Sequence, residues 1–404
     1  AGEELRAAGL VLRRAQLDAE RDTAGATAAR LTASGRSGTA LQAAGLLDTD
    51  GDTTRVRVDS LRLSTALQRW RLGGPASFAI ADGGFRLDSL ALRTENRSFI
   101  TLAGALPKTG ALDLQFASED VPVADIAELL QLTGSEQGRF NLRARLEGTR
   151  ETPTLTSSGE LRDGFVRGVR LDTLRLQARA VQDRLALQLE LGDSRRPAAI
   201  AEASIPLILG LDGRGVSLPS DGTLRGTVRA DSLGLDRFET LTRGATGARG
   251  SLAVDIALGG TWGRPQADGT LRVRNGFLAP AQLGDVRWRN VEADIGFRGD
   301  SITIRNVEAL SGANRTGRAN ITGWVSLADR SNPRMSLQLT SRAFHVFGRR
   351  EIADIDVSGA LTLSGTRRSA VLRGALTADR AIVSIPELAS KDVISLDGPD
   401  RFAV

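Results

Sequence analysis

The stretch Phe140-Asn141-Leu142-Arg143-Ala144-Arg145-Leu146-Glu147-Gly148-Thr149-Arg150-Glu151-Thr152-Pro153-Thr154-Leu155-Thr156-Ser157-Ser158-Gly159-Glu160-Leu161 decides the fold. Apolar and polar residues alternate up to Gly148, a turn follows, and a second extended run begins at Pro153. Side chains two apart on a strand share a face, so each run offers one apolar face and one wet face. The unit returns about 112 positions later, where Leu252, Val254, Ile256 and Leu258 lead into Gly260-Thr261, Pro265 and Gly269-Thr270-Leu271. A looser third copy has Leu361, Leu363, Gly365-Thr366 and Gly374-Ala375-Leu376, with Ala370 at the proline position. Repetition on this scale marks an extended array of stacked units.

Composition agrees. The chain has 404 residues, 41% hydrophobic, with 45 glycines and 4% aromatics, a balance suited to many short strands joined by tight turns. There is no cysteine and no tyrosine. The pI near 10.7 reflects a basic side that is almost all arginine, since Lys108 and Lys391 are the only lysines, while the net charge is only +5. Arginines alternate with acids on the polar strand positions, as in Arg55-Val56-Arg57-Val58-Asp59, so no basic stripe for nucleic acid is formed.

A second pattern recurs at six places. Val58-Asp59-Ser60-Leu61, Leu87-Asp88-Ser89-Leu90, Leu171-Asp172-Thr173-Leu174, Ala230-Asp231-Ser232-Leu233, Trp288-Arg289-Asn290-Val291 and Ile304-Arg305-Asn306-Val307 each put two polar residues between apolar ones. The phase slips by one, and a β-bulge or a short turn would return the apolar side chains to the same face and bend the strand. Helical signal is thin: a short capped helix is expected after Asp120-Val121-Pro122, and another over Leu235–Leu241. Residues 3–22 read as helix or strand. The organisation expected is an N-terminal segment over 1–39, a first repeat over 40–137, a second over 138–249, a third over 250–354 and a partial unit over 355–404. At about 13 residues per strand and turn, about 30 strands are expected, or roughly 140 Å of sheet at 4.8 Å spacing.

Catalytic and cofactor constellations find little support. His345 is the only histidine, set between Phe344 and Val346, and reads as a packed or strand-edge imidazole rather than a base. Zinc sites built on cysteine and histidine are excluded. Gly104-Ala105-Leu106-Pro107-Lys108-Thr109 lacks the glycine before its lysine and the following helix that a phosphate loop needs. No cofactor, metal or enzymatic activity is expected. A glycan-cleaving site needs only two carboxylates, but the acids alternate with arginines on solvated strand faces. No run of about 20 apolar residues could span a membrane. The chain starts at Ala1 and stops at Val404, and is expected to be a piece of a longer protein, with any anchor outside it.

The string Asp59-Ser60-Leu61-Arg62-Leu63, Trp70-Arg71-Leu72-Gly73-Gly74-Pro75-Ala76, Phe85-Arg86-Leu87-Asp88-Ser89-Leu90-Ala91-Leu92 and Leu102-Ala103-Gly104 resembles the TamB family, the translocation and assembly module proteins related to AsmA-like proteins. The Gly-Thr-x3-Pro-x3-Gly-x-Leu units look like its later repeats. Ala381-Ile382-Val383-Ser384-Ile385-Pro386-Glu387-Leu388 looks like the stretch before its C-terminal domain. Residues 1–30 match weakly and Ala370 departs from the pattern. The resemblance implies an all-β, elongated, curled antiparallel sheet, the β-taco or repeating β-groove, with a hydrophobic interior and a few short helices. It implies a non-enzymatic conduit that carries phospholipid between inner and outer membranes and supports outer-membrane assembly. Its place would be the periplasm, in a protein anchored in the inner membrane and meeting an outer-membrane barrel protein through other segments. Phospholipid acyl chains would then lie against Leu114, Phe116, Leu142, Leu146, Leu187, Leu189, Val254, Ile256, Leu258, Leu271, Val273, Leu337, Leu339, Leu361 and Leu363. The same residues could instead fill a closed core, as in an adhesive β-solenoid or autotransporter-like passenger.

Overall fold

The structure is a computed structural model that describes residues 5–7, 10–21, 26–35, 39–65, 68–125, 137–166, 168–193, 196–211, 215–242, 245–311, 316–349 and 351–384. Twenty-four of its strands form one sheet. Each strand pairs antiparallel with its predecessor and successor in the chain, from Leu5–Ala7 to Ala370–Val383. One row is shared by two short strands, Arg69–Leu72 and Ala76–Ala81, which pair side by side between Thr53–Ser64 and Gly84–Arg93. A separate two-stranded ribbon, Ile208–Gly210 with Gly215–Ser217, stands off the sheet. Leu5–Ala7 and Leu10–Arg21 are strands, so the described part of residues 3–22 is β.

Among the described residues 26 strands form, at the spacing of about 13 residues per strand that the alternation predicts; the longest, Ala245–Gly260, Pro265–Pro280 and Arg334–Arg349, each run 16 residues. Counting the paired short strands as one row, the sheet extends roughly 105 Å at 4.8 Å per strand. Of the two helices expected, Leu235–Thr242 is a 3-10 helix, while residues 123–125 make a helical turn whose continuation lies outside the described residues.

Because the chain is a meander, its connections fall alternately at two rims. One, the turn rim, carries the repeated Gly-Thr units. Thr261 and Arg264 exchange backbone hydrogen bonds of 3.2 and 3.1 Å, and the Thr261 hydroxyl also accepts from the Arg264 N–H. Gly260 enters this turn at φ +79°, where a Cβ would lie 2.5 Å from the Arg264 carbonyl oxygen. Thr366 and Ser369 repeat the exchange.

Phase slips bend the strands. At Leu87/Leu90, Ala230/Leu233 and Ile304/Val307 the register skips a residue against the neighbour, and the same happens opposite Asp59 and Asn290. The Leu171–Leu174 slip makes no bulge: Leu161 and Gly164 slip equally on the facing strand, so Leu161 still meets Leu174 and Gly164 meets Leu171. Glycines crease the sheet further. At Gly269, φ is +143° and a Cβ would come within 2.1 Å of the Asp255 carbonyl oxygen on the next strand, so only glycine permits that approach.

The other rim, the clasp rim, shows the curl directly. Trp288 and Phe344 sit three strands apart, which is about 14 Å in a flat sheet, yet their ring centroids are 6.0 Å apart. The accessible surface of 26033 Å² far exceeds the about 15,000 Å² expected of a compact monomer of this mass. The sheet is therefore open and curled rather than folded around a filled core.

Candidate functional site: one continuous apolar face

Residues directly opposite each other on paired strands project to the same face, so the register fixes which side chains share a surface. From Leu142 the pairing passes to Gly159, Leu176, Leu189 and Ala201. It continues through Val228, Ile256, Gly269 and Phe297, then Ile302, Val325, Met335, Gly365 and Ala370. No charged residue interrupts this row. A parallel row holds Val254, Leu271, Ile295, Ile304, Gly323, Leu337, Leu363 and Leu372. The next holds Val273, Ala293, Val307, Ile321, Leu339 and Leu361.

Towards the turn rim, Leu114 meets Leu146, and Phe116 meets Ala144. The Phe116 row continues through Ser157, Ala178, Leu187, Ala203, Gly226 and Leu258. The register thus brings all fifteen residues singled out from the sequence onto one face. Each of them is half-buried. Buried hydrophobic residues such as Trp70, Leu112, Val121 and Val286 lie nearer the strand ends than this central strip. An open depression of about 850 Å³ takes in Ala178, Leu187, Ala203, Gly226 and Leu258 with polar neighbours such as Gln177 and Glu202. It falls on the row with the smallest side chains, so space appears where bulk is missing.

The opposite face is a lattice of arginine and acid. Arg145 lies 3.1 Å from both Asp113 and Glu147, Arg175 3.2 Å from Glu160 and Arg305 2.9 Å from Asp294. Hydrogen bonds from Arg145, Arg139 and Arg162 hold the carboxyls of Asp113, Asp120 and Glu160 below their usual range. These pairs are largely solvated and each contributes little to stability; their effect is to keep one face wet while the other stays apolar.

At the clasp rim, connections reach back across several strands. In the first repeat, Asp125, fully buried, accepts from the Thr65 hydroxyl at 3.0 Å and from Trp70 Nε1 at 3.3 Å. In the second, Arg237 pairs with Asp172 at 2.5 Å. In the third, the Asp285 N–H donates to the Gly348 carbonyl at 2.7 Å, beside the Trp288–Phe344 contact. Asp125, Arg237 and Gly348 are themselves about 112 positions apart, so the clasp follows the repeat. Local pattern gave no sign of these contacts, because each joins segments some 55 to 65 residues apart in the chain.

A long, open-edged antiparallel sheet, curled and apolar along one face, defines the class: a repeating β-groove protein. The family model of the TamB C-terminal domain matches residues 306–398, so this part of the chain is similar to that domain. Likeness to that domain supports a role in the translocation and assembly module and a place in the cell envelope; the TamB family is not a known enzyme family. No curated protein and no solved structure gives a match. Among the described residues no helix is long and apolar enough to cross a membrane.

Proposed function

We propose that this chain is a segment of a conduit in which phospholipid acyl chains lie against the apolar face and move along it, between the inner and outer membranes. The observation that carries this reading is the uncharged row from Leu142 to Ala370, half-exposed along its length. Each methylene taken from water gains about 0.8 kcal/mol, so a two-chain lipid stays on the strip. Because successive strands offer similar aliphatic surfaces, movement along the strip changes its free energy little. Transfer of this kind needs uniformity and no specific pocket, in keeping with an open depression on the row of small side chains.

The test places a charge in the row. Ile256→Arg or Leu142→Asp puts an ion on the apolar face at a half-exposed position, so far-UV circular dichroism should stay unchanged while phospholipid recovered with the protein, counted by lipid mass spectrometry, falls severalfold. Lipid transfer in cells should fall with it. Transfer at the wild-type level in a folded variant would remove the groove from consideration. Absence of bound phospholipid from the wild-type protein would favour a structural or adhesive role instead.

A further inference from the structure

We propose that His345, Asp354 and Asp356 form a binding site for one divalent transition-metal ion of the zinc class, at the clasp rim of the third repeat. The inference is independent of the lipid reading. His345 lies on the strand Arg334–Arg349, and the two aspartates on the adjacent Ala353–Thr366. Its Nδ1 is 2.7 Å from Asp356 Oδ1 and 3.6 Å from Asp354 Oδ1. Two ligands of one tetrahedral zinc, each at about 2.0 to 2.1 Å, stand about 3.3 to 3.4 Å apart, and the observed separations bracket that value.

Three further observations point the same way. Asp354 Oδ1 is shut off from solvent and has no hydrogen-bond partner, while the other oxygen of that carboxylate is 3.9 Å from Arg380. A desolvated carboxylate oxygen with no donor is costly, and a cation between it and the imidazole removes that cost. The register slips between His345 and Phe347, a bulge of the kind that re-aims a side chain. The residue is also held: a Cβ at Gly348 would stand 2.6 Å from His345 Nε2, so the ring packs against that glycine, and the Ser311 hydroxyl donates to the His345 backbone carbonyl at 3.4 Å. Nε2 thus faces Gly348, while Nδ1 faces the carboxylates. With a neutral imidazole, two carboxylates and one guanidinium, the site carries a net single negative charge, suited to a dication.

Such an ion would tie two neighbouring strands at the bulge beside the Gly348 clasp, the place held in the first repeat by Asp125 and in the second by the Arg237–Asp172 pair. Sequence excludes zinc sites made of cysteine and histidine alone; a mixed site with one histidine and two aspartates needs neither cysteine nor a second histidine.

Because the chain has one histidine, the full chain made without a histidine tag gives a single imidazole signal in a proton–carbon NMR spectrum, which can be followed as zinc chloride is added. The signal should shift and saturate at one equivalent, the thermal midpoint should rise with zinc, and Asp356→Asn should weaken binding at least tenfold. An imidazole signal unmoved by several equivalents of zinc overturns the proposal, and that measurement needs no variant. Equal saturation in folded Asp356→Asn and Asp354→Asn chains would also overturn it, by leaving the carboxylates without a part in binding.

Discussion

The two rims of the sheet solve the same task differently. At the turn rim, the chain reverses through a four-residue exchange whose instructions are local: a glycine at positive φ, a threonine whose hydroxyl accepts from the backbone three residues on, then proline or alanine. At the clasp rim, what holds the chain is distant: Asp125 against Trp70, Arg237 against Asp172, Asp285 against Gly348. Reversal of the chain can be encoded within six residues, whereas the clasps that close the curl join segments about half a repeat apart.

Substitution at a clasp should therefore have the largest effect. Trp70 is 3% exposed, and Trp70→Ala should cost about 3–5 kcal/mol through the cavity and the lost bond to Asp125. Repeat arrays distribute stability between neighbours, so hydrogen exchange should speed up in Thr53–Ser64 and Gly84–Arg93 and hold steady in the third repeat. A turn-rim change should be milder. Gly260→Val forces a side chain into positive φ against the Arg264 carbonyl and should cost about 1–3 kcal/mol, read by denaturant unfolding.

Smaller still is a gain at the departed position of the third repeat. Thr366 and Ser369 exchange both backbone bonds, which leaves Gly365 and Ala370 in the non-hydrogen-bonded site, and the far side of Ala370 is the edge of the described sheet. Ala370→Pro removes no ladder bond and should stabilise by about 0.4–1 kcal/mol; a fall in the unfolding midpoint would mean that Ala370 makes a bond the turn does not predict.

The smallest effect belongs to the wet face. Asp120 and Glu160 have lowered pKa values in the fold, so their contribution is fully present above the ordinary carboxylate range near pH 4 and is lost as pH falls through the lowered values. Unfolding midpoints should be flat in this respect from pH 7 to 5 and drop below about pH 4. Arg139→Gln and Arg162→Gln should remove that part of the acid dependence.

Much of the fold could be read directly. Alternation such as Leu185-Ala186-Leu187-Gln188-Leu189 predicts both the strand and its apolar face, and five of the six phase slips became bulges. The slip at Leu171–Leu174 did not, because whether a bulge forms depends on the facing strand, and Leu161–Gly164 slips in step with it. The clasps were hidden for another reason. Asp125 reads as part of a helix start, and only the fold brings it to Trp70; likewise, Asp354 and Asp356 are ordinary polar strand positions until pairing sets them beside His345.

Pairing nearly every strand with its chain neighbours also bears on how the molecule is made. Apart from the clasps, no pairing of the described sheet waits for a distant segment, so the entropic cost of closing each contact is that of a short loop. The sheet can be laid down in order as the chain emerges, each new strand finding its template already in place. The accompanying hazard is a growing edge: until the next strand arrives, the last one offers unpaired backbone to any extended chain nearby. The strand Ala370–Val383, exposed along its length with Leu372, Ile382 and Val383 uncovered, is that edge at the end of the described sheet.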